Sequence, residues 1–202
     1  MALHALVELV LPRGQAGLGA AQRNRLDRTR ALMELLGFRC LVQEPERAFA
    51  VNRLLLPLQI FALDCLRAVW PAATVDEASA SPCLPLRHLG AMDAIGLELV
   101  CAAAANYRRG PAAVDPAGVD RLVAGLGELL ALGKRGARNR DGLLMGQPLP
   151  WQLAELAGDV VALAARFAAL AETTLRQALA SGDFTRDELA FVLDELWGGR
   201  LP

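Results

Sequence analysis

In the stretch AFAVNRLLLPLQIFALDCLRAV, residues 48–69, apolar side chains recur at Val51, Leu54, Leu55, Leu58, Phe61, Ala62, Cys65, Leu66 and Val69. Steps of three and four residues put them on one stripe, so the spacing predicts a helix with a single buried face. Pro57 lies inside that helix and is expected to kink it. Asn52 stands near its start beside Arg53. An amide side chain among apolar neighbours needs hydrogen-bond partners, so Asn52 is either a structural tie or a contact to a ligand.

Upstream the period changes. Residues 5–11, ALVELVL, are apolar apart from Glu8 and read as a strand, and Pro12, Gly14, Gly17 and Gly19 mark a loop. Residues 20–36 carry Leu26, Met33 and Leu36 on one side and arginines on the other, with Gly37 as the cap of that helix. Residues 38–43, FRCLVQ, read as a second strand. Strand, helix and strand in this span make one βαβ unit with parallel strands. Two strands alone leave both sheet edges bare, so the unit needs cover from the helices that follow, a second copy of the chain or another protein.

Downstream the chain reads as helix after helix. Trp70-Pro71 breaks the first one, and Thr74 is the expected N-cap of the next, closed by Pro82 and Pro85. An Ala-rich helix is expected from Leu97 to Tyr107, and a further one over residues 115–133. Pro148 and Pro150 open a long helix to about Ala180, with Leu153, Leu156, Val160, Leu163, Phe167 and Leu170 as its stripe. Thr185 and Glu188 form a capping box for the last helix, which Gly198-Gly199 ends.

Composition sharpens this to a mainly α protein. The chain has 202 residues, 54% of them hydrophobic and 21% charged, the balance of a globular chain with enough length for a real core. A formal net charge of −1, with no basic block interleaved with aromatics, excludes nucleic acid as the expected partner. No run is long and uncharged enough for a membrane span, and MALHALVELVL lacks the basic start of a secretory signal. The four cysteines, Cys40, Cys65, Cys83 and Cys101, have neither metal nor redox spacing and read as reduced thiols of a cytoplasmic protein. His88 has no acidic or nucleophilic neighbour in sequence and reads as a surface or packing histidine. Lys134, Arg135, Arg138 and Arg140 read as a solvated basic loop, with contact to a ligand's phosphate as the alternative.

The phrase Phe49-Ala50-Val51-Asn52-Arg53-Leu54-Leu55-Leu56-Pro57 resembles the opening of the C-terminal helical domain of the 3-hydroxyacyl-CoA dehydrogenase family, although Arg47-Ala48 replace the Pro-Gly usual before it. Leu6-Val7-Glu8-Leu9-Val10 resembles the last strand of that family's NAD domain. Residues 85–100 keep Asp93, Gly96 and Leu97 of a further family phrase, with Arg87 and His88 in place of Gly-Pro. Arg166 and the segment Gly182 to Leu189 resemble the start and end of a second helical repeat, as in the multifunctional bacterial fatty-oxidation proteins.

The resemblance implies an N-terminal βαβ remnant over residues 1–47 and two dehydrogenase-type helical repeats over 48–148 and 149–202. It implies that Asn52 contacts an acyl-CoA substrate. Glu8 stands at the position of the family's catalytic glutamate, whose partner histidine is missing from this chain, so Glu8 is an orphan carboxylate; His4 is not that histidine. No G-x-G-x-x-G follows a strand, so the chain has no recognisable NAD site, and NAD enters only if a partner chain supplies it. No metal site is expected. The implied function is the acyl-CoA-binding and dimerisation half of a dehydrogenase, working as a homodimer or with a sheet-completing partner; the alternative is a non-catalytic binding or scaffold protein derived from that family.

Overall fold

A computed structural model describes residues 6–10, 19–43, 49–68, 70–109, 114–146, 148–151, 158–182, 184–198 and 201. The side chains of Leu6, Val10 and residues 195–197 lie outside that description. So do several positions singled out above, among them His4, Gly14, Gly17, Val69, Leu153 and Leu156.

The chain is mainly helical, with one small parallel sheet near its N-terminus. Strands β1 (Leu6–Val10) and β2 (Arg39–Gln43) pair in parallel with Glu8 opposite Leu41, and α1 (Ala20–Leu35) makes the crossover between them. Gly37, at φ 85°, takes the left-handed turn that ends α1. There the Gly37 and Phe38 amides donate to the Glu34 and Met33 carbonyls at 3.0 and 2.9 Å, a Schellman ending. No residue of α1 is buried, and Leu32, Leu35 and Leu36 are exposed at its C-terminal end.

Helix α2 (Ala50–Arg67) is the hub, and it continues through Pro57. Periodicity gives it one buried stripe, but Leu56, Gln59, Ile60 and Leu63 are buried as well. The reason is tertiary: α3 (Ala72–Ser79), α4 (His88–Ile95), α6 (Pro116–Ala131) and α7 (Val160–Ala180) all pack against α2. Gly125 lets α6 come close, since a Cβ there would sit 2.7 Å from Leu63 Cδ2. Helix α5 (Leu97–Ala105) lies on α6, and α8 (Arg186–Trp197) returns to touch β1. Arg39 of β2 stacks over the Phe191 ring of α8 at 4.2 Å, so the C-terminal helix supplies part of the cover the small sheet requires. Buried side chains from Leu41 to Leu193 form one continuous cluster.

Two boundaries differ from expectation. Helix α3 begins at Ala72, following Pro71, so Thr74 lies inside it and caps nothing. Helix α7 begins at Val160, not near Pro150: the Asp159 carboxylate accepts from the Val161 and Ala162 amides at 2.9 and 3.1 Å and fixes the start. Val160, an expected stripe position, is accordingly exposed, and the buried line runs through Leu163, Phe167, Ala171 and Leu175. The capping box of α8 forms as expected, with Glu188 N to Thr185 Oγ1 at 3.2 Å and Thr185 N to Glu188 Oε2 at 2.8 Å. No single described helix is long and apolar enough to cross a membrane.

Candidate functional site

A helix start leaves backbone amides without partners, and Phe49, which precedes α2, has no side chain to cap them. Glu8 fills that need from the sheet. Its Oε2 accepts from the Ala50 amide at 2.9 Å and its Oε1 from the Val51 amide at 3.1 Å. A carboxylate at a helix N-terminus also sits favourably in the helix dipole. Burial pushes the Glu8 carboxyl above its usual range, and the two amide hydrogen bonds work against that shift.

Tyr107, just beyond α5, closes the same knot. Its hydroxyl accepts from the Phe49 amide and donates to the Phe49 carbonyl, both at 3.0 Å. Burial is the largest of the influences that raise the Tyr107 hydroxyl pKa. The Asn52 side chain works with the Phe49 backbone in lowering the pKa of that hydroxyl. The fold thus brings Glu8 and Asn52 to one helix start and adds Tyr107, which sequence reasoning did not single out. One signal was available: Tyr107 is the chain's only tyrosine. The amides of Phe49, Ala50 and Val51 are all engaged, so a pyrophosphate such as that of NAD would have to displace Tyr107 from the first and Glu8 from the other two to use them.

Beside this knot a cleft of about 510 Å³ opens between α2 and α7. Arg53, Pro57, Phe61 and Asp64 line one wall, and Leu170, Thr173, Gln177 and Ala178 the other. Phe184 also lines it. Asn52 is not among the lining residues, because successive helix positions point about 100° apart.

His88 and Lys134 lie elsewhere, and Lys134 differs from what sequence suggests. His88 opens α4 and is fully buried, so of surface and packing it takes packing. Its amide donates to Ser79 Oγ at 3.0 Å, while neither ring nitrogen has a hydrogen-bond partner among the described residues. Burial lowers its pKa to about 4. Lys134, expected on a solvated loop, is 2% exposed. Its Nζ donates to Asp141 Oδ1 at 2.7 Å and to the Gly142 carbonyl at 3.1 Å. Arg135, Arg138 and Arg140 are exposed as expected, and Arg135 pairs with Glu98. Asp93 holds the loop that follows: its carboxylate accepts from the Leu143 amide at 2.7 Å and the Leu144 amide at 3.0 Å. Lys134 and Asp93 therefore fasten a loop to the core.

All four cysteines are free, Cys65 and Cys83 buried and the other two half-buried. Burial raises every thiol, Cys65 to about 11, which leaves none of them a ready nucleophile. Among the described residues no group of three or more His, Cys, Asp or Glu side chains is placed to hold a metal ion.

No protein-family profile and no curated protein sequence matches this chain. A solved structure does: the fold is similar to the crystal structure of 3-hydroxybutyryl-CoA dehydrogenase from Escherichia coli K12, with a TM-score of 0.50 and 18% sequence identity. The match covers 77% of this chain and 30% of that one. The chain therefore spans less than a third of the length of that dehydrogenase, and what the two share is the fold.

Proposed function

We propose that this chain is the acyl-CoA-binding and dimerisation half of a 3-hydroxyacyl-CoA dehydrogenase-like system in fatty acyl-CoA metabolism. It would work as a homodimer or with a partner chain that completes the sheet and brings the NAD domain and its histidine. The observation that carries this reading is the convergence of Glu8 and Asn52 on the start of α2. The family resemblance singled out these two positions from distant parts of the sequence, and the fold similarity covers most of the chain.

Isothermal titration of the pure chain with acetoacetyl-CoA tests it. Binding is expected, weakened in Asn52→Ala by about 0.5–1.5 kcal/mol, the loss of one neutral hydrogen bond. Unchanged affinity in that variant, together with lower stability, would assign Asn52 to the structural tie instead.

A second reading, a non-catalytic binding or scaffold protein, is favoured by one specific fact. Both Glu8 oxygens already hold α2 amides. Tight self-association in sedimentation with no acyl-CoA affinity would select it.

A further inference from the structure

We infer that the flank of α1 that overlooks β1 docks an acidic amphipathic helix of a partner protein. Helical spacing sets out that flank. At about 100° per residue, Arg25, Arg28 and Leu36 all lie within about 40° of Leu32. Leu32 and Leu36 are exposed, and so are both arginines. Neither guanidinium has an ion-pair partner among the described residues. The two acids of the helix, Asp27 and Glu34, stand about 140–160° round from Leu32, and Glu34 pairs there with Arg30 at 2.8 Å.

The sheet supplies a floor. Helix α1 packs on β2, and Cys40 of β2 feels the charges of Glu34 and Arg30. The Glu34 flank is thus on the β2 side and the Leu32 flank on the β1 side. Along β1, Glu8 turns towards α2, so its neighbours Val7 and Leu9 point to the face that carries α1. Both are only half-buried. Val7, Leu9, Leu32 and Leu36 make a shallow apolar groove with a basic lip at Arg25 and Arg28. A second helix at the usual spacing of about 8–10 Å from α1 would lie over β1 and fill it.

Charge chooses among the occupants. Two unpaired arginines beside an apolar groove favour a partner that brings carboxylates to them. A second copy set flank to flank would bring arginines against arginines. A bilayer fits no better: the leucines occupy only the last turn of α1, with the arginines on the turns before it, so no apolar face runs the length of the helix. The inference names the docking element of a partner and uses nothing from the acyl-CoA reading.

Fluorescence anisotropy of the full chain with two labelled synthetic peptides tests it. Each peptide is an amphipathic helix of about 18 residues, its leucine stripe flanked by glutamates in one and by lysines in the other. The glutamate peptide is expected to bind at least about tenfold more tightly. Arg25→Glu with Arg28→Glu should reverse that order. Leu32→Ser with Leu36→Ser should weaken the glutamate peptide at least about fivefold. All four positions are exposed, so the fold is spared. Equal affinity for the two peptides, no binding of either, or an order that survives the charge reversal would overturn the inference. So would binding to vesicles of phosphatidylcholine and phosphatidylserine in place of the glutamate peptide, or a dimer in sedimentation that the two serine substitutions dissolve.

Discussion

Burial holds the His88 imidazole neutral, and this makes the fold acid-sensitive in a way that one substitution should remove. The side chain is fully buried, neither ring nitrogen has a partner among the described residues, and its pKa falls from 6.5 to about 4. The unfolded chain therefore takes up this proton more readily than the native one. Stability is unaffected above pH 6.5, falls as pH drops from 6.5 towards 4, and levels off below that. Each pKa unit is worth about 1.4 kcal/mol, so the full window costs about 3 kcal/mol, and about 2 kcal/mol of it is lost by about pH 5. That is a large part of the 5–15 kcal/mol typical of a folded domain. Glu8 and Asp93 are shifted upward by burial and act in the opposite sense: below their native values they gain a proton that relieves a buried charge. They are common to wild type and variant and cancel in the difference. Urea unfolding of wild type and His88→Leu at about pH 7 and about pH 5 measures the effect. The leucine variant should match or exceed wild type at the higher pH, since it also removes an unpaired buried N–H, and should lose about 2 kcal/mol less on acidification. Equal losses in the two proteins, or an imidazole titrating near its ordinary value by NMR, would refute the reasoning.

Other consequences follow from the same contacts. Glu8→Ala strips two hydrogen bonds from the start of α2 and should cost about 1–3 kcal/mol in urea unfolding. Its slowed amide exchange should be lost first at Ala50 and Val51, whose donors it caps. Asp93→Ala leaves the buried Leu143 amide and the Leu144 amide without their acceptor and should cost about 2–4 kcal/mol by the same assay, with the loop at 141–145 becoming open to proteolysis. Tyr107→Phe removes the hydroxyl that both accepts from and donates to Phe49 and should destabilise by about 1–2 kcal/mol, seen as a lower thermal midpoint. The pure chain should show no micromolar affinity for NAD in calorimetry, because the α2 amides that would meet a pyrophosphate already hold Glu8.

The sequence by itself determined whatever depends on near neighbours along the chain. The period of α2, the left-handed glycine after α1, the parallel βαβ unit and the Thr185–Glu188 box were all legible, because each is set within a few residues. Local signals also misled where two were available: Thr74 and Pro150 both carry helix-start chemistry, yet Pro71 and Asp159 precede the actual starts. Tertiary structure decided the rest. A helix with one apolar stripe became buried on nearly every side because four helices pack on it, and no periodicity within α2 counts its neighbours. Lys134 carries the composition of a solvated loop but is buried because Asp141 and the Gly142 carbonyl meet its charge. Glu8 and Asn52 could be marked from a family phrase, but not the hydroxyl of Tyr107 between them. That meeting depends on how β1, α2 and the end of α5 are packed, and hydrogen bonds across such distances in the chain are fixed by packing alone.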